Sequence, residues 1–135
     1  MTFPFNPSLG TILVWAEITG PTGKRTIVAL SLDTGASTTS INLDCPIRVG
    51  YDPTLFPANV AMTTGSGVIN VPRFPVAELA SLGQARCNFP VLAHTLPPTA
   101  VVEGLLGLDF LQGQLLTLDF VKGEITLTPA TGPTP

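Results

Sequence analysis

Histidine and cysteine are almost missing from this chain of 135 residues, which holds one His, His94, and two Cys, Cys45 and Cys87. A protein-bound zinc ion needs three or four such ligands in clustered spacing, so no metal site and no cofactor is expected. Neither cysteine sits in a Cys-x-x-Cys pair or beside the histidine. Both are expected to be buried packing thiols, although spacing alone leaves a single disulfide open. Charge is scarce too: 11% of residues are charged, and the 6 Lys and Arg are scattered. A net charge of -3 without a basic cluster offers a phosphate backbone nothing to hold, which excludes nucleic acid as a partner. An apolar run of the roughly 18 residues needed to span a membrane is also lacking. The opening Met1-Thr2-Phe3-Pro4-Phe5-Asn6-Pro7 has no basic residue and is broken by prolines, unlike a secretion signal. The expectation is a cytoplasmic protein with no membrane partner.

What the chain does have is a 44% share of hydrophobic residues, with 13 Gly and 14 Pro. So many chain breakers among apolar stretches suit short strands joined by tight turns, and the fold is expected to be all-β. The length fits a single domain over residues 1–135, with a core from about 10 to 128 and flexible termini. Thr11–Thr19 and Arg25–Leu32 read as a hairpin turning through Gly20-Pro21-Thr22-Gly23-Lys24. The second strand is nearly continuous in apolar residues, which predicts burial on both faces. Thr38–Leu43 reads as a short strand and Asp44–Pro57 as a loop. Asn59–Val71 reads as two strands around a Gly65-Ser66-Gly67 tip. Pro72–Leu79 is extended, with its prolines favouring an edge or a strand end, and Ala85–Ala93 is a further strand. Leu108–Gln112 is the one expected helix, stopped by Gly113. Gln114–Phe120 and Gly123–Thr128 form a last hairpin, and Pro129–Pro135 is expected to be a frayed tail. Trp15 and the seven Phe are expected in the core, and His94 at the surface or internally satisfied.

The chemistry gathers at Leu30-Ser31-Leu32-Asp33-Thr34-Gly35-Ala36-Ser37, an apolar strand ending on a carboxylate followed by a hydroxyl, a glycine and two small residues. Such a strand puts the acid at the mouth of a sheet, and Gly35 permits positive φ or a close backbone approach. Read alone, an Asp-x-Gly after a strand is also consistent with an ordinary turn or a structural acid.

Three elements in a fixed order narrow that choice: Asp33-Thr34-Gly35-Ala36-Ser37, the hairpin tipped by Thr64-Gly65-Ser66-Gly67, and Leu105-Leu106-Gly107-Leu108-Asp109 running into a short helix. The set resembles the retropepsin-like aspartic proteases from about Ile12 to about Leu127. The resemblance implies a closed β barrel with Asp33 as catalytic acid on its floor loop. It further implies a flap that binds substrate through residues 64–67, with Leu105, Leu106 and Gly107 packed behind the loop. Asp109 would then be a structural acid. Hydrolysis by this route needs two carboxylates, and a second Asp-Thr/Ser-Gly motif is absent. The implied enzyme is therefore a homodimer with one Asp33 per subunit, cutting protein or peptide substrates, and Thr34 would hydrogen-bond across the dimer. A catalytically silent module of the same fold, serving dimerisation or peptide binding, is the alternative. The resemblance implies a joining sheet built from chain termini; this N-terminus and the Thr-Pro tail suit that role poorly, and the last hairpin is the alternative.

Overall fold

The computed structural model describes residues 1–130. Along the chain run strands β1 (Thr2–Pro4), β2 (Leu13–Thr19), β3 (Arg25–Leu32) and β4 (Ser40–Asn42), then helix α1 (Asp44–Arg48) and a 3-10 turn (Pro53–Leu55). They are followed by β5 (Val60–Thr64), β6 (Gly67–Val71), β7 (Arg73–Ser81), β8 (Gln84–His94) and β9 (Gly104–Leu106). Helix α2 (Leu108–Leu111), β10 (Gln114–Asp119) and β11 (Glu124–Pro129) complete the described chain.

Six strands close into a barrel in the order β2-β3-β9-β4-β8-β7, so each of them has a neighbour on both sides over at least part of its length. Alternation does most of the sorting, because successive side chains on a strand point to opposite faces. Val14, Ala16 and Ile18 of β2 face inward with Val28, Leu30 and Leu32 of β3, and all are buried. Trp15 falls on the opposite face and is 64% exposed, so it is not the core residue expected of it. Ile27 is 62% exposed for the same reason; β3 is buried on one face rather than two. Among the phenylalanines, Phe5, Phe74, Phe89 and Phe110 are core, whereas Phe120 is 56% exposed.

Pro75 is tolerated because residues Arg73–Val76 of β7 pair with β8 alone, while Glu78–Ser81 pair with both β8 and β2. The Tyr51 hydroxyl ties that junction, accepting from the Ala77 amide at 2.7 Å and donating to the Thr19 carbonyl at 3.3 Å.

Two segments depart from expectation. Residues 44–57 hold α1 and the 3-10 turn rather than a plain loop. Pro46 is compatible with the helix because it lies in the first turn, where a missing N–H is no loss. The N-terminus, expected outside the core, supplies β1, which pairs with β11 from Thr2↔Thr126 to Pro4↔Glu124, and Phe5 is buried. Its prolines hid the Phe3/Phe5 alternation. Strands β1, β11 and β10 form a separate three-stranded sheet, and β5 and β6 a separate hairpin. Pro129 ends β11; the rest of the expected frayed tail, from residue 131 on, lies outside the described residues. Cys45 is buried and Cys87 exposed, and both thiols are free, so the second is not the packing residue expected. Among the described residues no helix is long and apolar enough to cross a membrane.

Candidate active site

Strand β3 delivers Asp33 to the end of the barrel. The Leu32 amide donates to the Ile12 carbonyl at 2.8 Å and the Asp33 amide to the Leu106 carbonyl at 3.0 Å, so the backbone is held from both sides. Chain reversal follows at once: the Ala36 amide returns to the Asp33 carbonyl at 3.2 Å and the Gly35 amide donates to Asp33 Oδ1 at 2.8 Å. Gly35 is there for space and not for positive φ. A Cβ at this position would lie 3.1 Å from Asp33 Oδ1, crowding the carboxylate it serves. Asp33 is half-buried, Ala36 likewise, and Thr34, Gly35 and Ser37 are exposed.

Behind the loop, β9 is inserted between two strands. Leu105 and Leu106 run parallel to Ser31 and Leu32 of β3, and Leu105 and Gly104 run antiparallel to Ser40 and Ile41 of β4. Contact is close enough that a Cβ on Gly104 would collide with the Ser40 carbonyl, and one on Gly107 would come within 2.8 Å of the Ala36 carbonyl oxygen. Leu106 is fully buried.

Thr39, which the sequence does not single out, connects these parts. It is fully buried. Its amide donates to both carboxylate oxygens of Asp109 at 3.0 Å, and its hydroxyl donates to Asp109 Oδ1 at 2.7 Å while accepting from the Gly107 amide at 3.0 Å. The Phe110 amide adds a further bond to Asp109 Oδ1 at 2.9 Å. Asp109 is thus saturated by bonds that lock the loop exit to α2. Asp119 is committed to its own turn, accepting from the Val121 and Lys122 amides at 2.9 Å. Those two backbone donors hold its carboxyl below the usual range. Asp33 alone among these three acids opens onto a hollow of about 360 Å³, lined also by Leu9, Gly10, Thr11, Ile12 and Phe120. These lining residues are remote from Asp33 in sequence, and no local pattern marks them.

A second brace sits to one side. Glu103 accepts from the Ala29 amide at 2.8 Å and its own amide returns to the Ala29 carbonyl at 2.7 Å, fastening β3 just before it reaches Asp33. Arg48 of α1 holds the other Glu103 oxygen at 3.2 Å. Beneath it, burial pushes the Cys45 thiol up to about 12, so this cysteine is inert at neutral pH.

The hairpin β5–β6 carries the remaining predicted residues. Ser66 donates from its amide to Thr64 Oγ1 at 3.2 Å, and that hydroxyl donates to the Gly67 carbonyl at 2.9 Å. Gly67 has φ +122, a conformation other residues rarely adopt. Gly65, Ser66 and Gly67 are exposed, and among the described residues no hydrogen bond joins the hairpin tip to the acid loop. The structure therefore unites Asp33–Ser37 with Leu105–Gly107 and Asp109, and leaves residues 64–67 standing apart. Among the described residues no cluster of His, Cys, Asp and Glu could hold a metal.

Comparison with known proteins supplies the remaining observation. Residues 21–113 match the model of the family described as "gag-polyprotein putative aspartyl protease". This chain belongs to the retropepsin-like aspartic protease family. Its fold agrees: the crystal structure of a retropepsin-like aspartic protease from Rickettsia conorii superposes with a TM-score of 0.69 at 16% identity, covering 96% of this chain and 92% of that one. No curated protein is significantly similar to this retropepsin-like chain in sequence.

Proposed function

We propose that this retropepsin-like protein is an aspartic endopeptidase that works as a homodimer, with Asp33 from each subunit forming the catalytic dyad. The observation that carries the reading is the division of labour among its acids: Asp109 and Asp119 are consumed by hydrogen bonds within the fold, while Asp33 faces an open hollow. One carboxylate cannot run the reaction alone. Two held side by side cannot both ionise cheaply, so they share a proton. The ionised member takes a proton from water as that water attacks the peptide carbonyl carbon, and the protonated member gives its proton to the carbonyl oxygen. The resulting diol collapses with proton transfer to the departing amine. Substrate would lie extended beneath the β5–β6 hairpin, whose Thr64–Gly67 tip closes over it and excludes water. Thr34, exposed beside Asp33, would steady its counterpart across the two-fold axis.

Cleavage of a mixed peptide library between pH values of about 3 and 7 tests this, because a dyad sharing one proton is active only while singly protonated. Asp33→Asn keeps the oxygen that accepts from the Gly35 amide, so the fold should survive while cleavage falls on the order of 10⁴-fold. Equal cleavage by the variant and the parent would overturn the assignment.

A further inference from the structure

We infer that the substrate chain is gripped beyond the cleft as well as in it: an apolar, extended flanking segment adds as a strand to the open half of β2 and ends against Trp15. The inference rests on the endopeptidase reading above and names a second contact of the same substrate, remote from the reacting acid. It begins from an uneven strand. Strand β3 pairs with β2 from Leu13 to Thr19, but β7 joins the other side of β2 only from Ala16 to Thr19. Leu13–Trp15 are therefore a short free edge in an otherwise closed barrel. The Ile12 carbonyl accepts from the Leu32 amide, so the even-numbered residues of β2 bond toward β3 and the backbone groups of Leu13 and Trp15 point the other way. Of these, the Trp15 carbonyl is taken by the Ser81 hydroxyl at 2.7 Å. The Trp15 amide and both backbone groups of Leu13 have no partner strand among the described residues, and an added strand is what such groups accept.

This edge is continuous with the acid. Leu9, Gly10 and Thr11 line the hollow onto which Asp33 opens and also a second hollow that reaches Leu13. Leu9 and Leu13 recur in a third, of about 340 Å³, walled by Pro4 and Phe5 and ending at Trp15. Trp15 then borders a fourth, which Ile27 also lines. A chain leaving Asp33 along this track meets leucine, proline and aromatic surface, and the charged residue at its far end, Glu17, is occupied by Arg25 at 3.6 Å. The matching segment is apolar. Trp15 lies opposite Ala29, four residues before Asp33 on β3, which at about 3.3 Å per residue sets it roughly 13 Å from the acid. Peptide residues about four to six places from the scissile bond would reach it. An indole that is 64% exposed, with Ile27 62% exposed beside it, gains its burial from this occupant.

Trp15 is the sole tryptophan, so its fluorescence reports occupancy directly. Two peptide sets rich in Leu and Val around one scissile bond serve as probes, long ones reaching about eight residues beyond that bond on each side and short ones about three. On Asp33→Asn, which binds without cutting, long peptides should shift the emission to the blue and short ones should not. In cleavage, Trp15→Ala should raise KM for the long peptides about 10-fold with kcat unaltered, the mark of lost binding, and leave the short peptides unchanged. N-methylation of alternate flanking residues should weaken the long peptides in one register and not in the other, because only every second amide of an added strand faces β2. No blue shift, an equal change in KM for both lengths, or indifference to N-methylation in both registers would each overturn the inference. Failure of the dyad reads differently. A protein that cuts neither set, yet shows the blue shift with long peptides alone, loses the endopeptidase assignment and keeps the β2 contact.

Discussion

The two sides of the proposed cleft are built to opposite specifications. Its floor is overdetermined: Asp33 is fastened through its own amide to Leu106, Gly107 admits no Cβ, and the fully buried Thr39 exchanges hydrogen bonds with both Gly107 and Asp109. Among the described residues the hydrogen bonds of the β5–β6 hairpin are those of its own ladder and of Thr64 at its tip, in a two-stranded sheet separate from the barrel that is anchored at its base by the buried Val71. A group that must meet its twin at hydrogen-bonding distance gains from rigidity, since a small misplacement of catalytic groups is costly. A lid that must admit a chain gains from weak attachment.

The largest expected break in this contrast is Gly107→Ala. The added methyl would come within 2.8 Å of the Ala36 carbonyl oxygen and 2.9 Å of the Thr38 carbonyl carbon, and backbone on both sides leaves little room to yield. Destabilisation of about 3 kcal/mol is expected from such overpacking, read by denaturant titration, with loss of cleavage in whatever remains folded.

Next comes one chemical change made on each side. Thr39→Val keeps the shape but removes the hydroxyl that serves Gly107 and Asp109, leaving a buried amide unpaired. The cost should be about 2 kcal/mol, seen as a fall of roughly 8 °C in melting temperature. Thr64→Val removes the corresponding hydroxyl at the exposed hairpin tip. There stability should stay within about 0.5 kcal/mol of the parent, while KM for peptide rises as the lid loses its preferred shape. Equal effects of the two substitutions on melting temperature would erase the distinction between floor and lid.

The smallest effect concerns His94, at the end of β8 where the Leu43 amide bonds its carbonyl at 2.9 Å. Burial lowers its imidazole below the ordinary 6.5. A group depressed in the folded state supports the fold above its unfolded pKa and withdraws that support as pH falls through the folded value. His94→Gln should therefore flatten the decline in melting temperature just below pH 6.5, measured at low and neutral pH. The same experiment on Thr64→Val should leave that slope unaltered.

Much of the architecture was legible in the sequence because it rests on local signals. Strand β3 was bounded at Arg25 and Leu32 by its turn and its acid, and the Gly65–Ser66 hairpin and the last hairpin by glycines between apolar runs. The helix ending at Leu111 was stopped by Gly113, whose φ is +76. Where proline dominated, composition misled: Pro4 masked β1 and Pro46 masked α1, since proline fits both an edge strand and a first helical turn. Trp15 shows the other limit, because hydrophobicity predicts burial on average but the face of a strand decides it in each case.

By itself the sequence determined most of the order of strands and turns, the lone Asp-Thr-Gly, and the absence of a second copy of that motif, all of them properties of neighbours along the chain. Only the tertiary structure decided what surrounds the acid. Thr39 meets Asp109 across 70 positions and Gly107 across 68, and Phe120 reaches the hollow beside Asp33 from the last hairpin. Contacts at such separations leave no periodicity to read, because they follow from how β9 wedges between β3 and β4 once the barrel has closed.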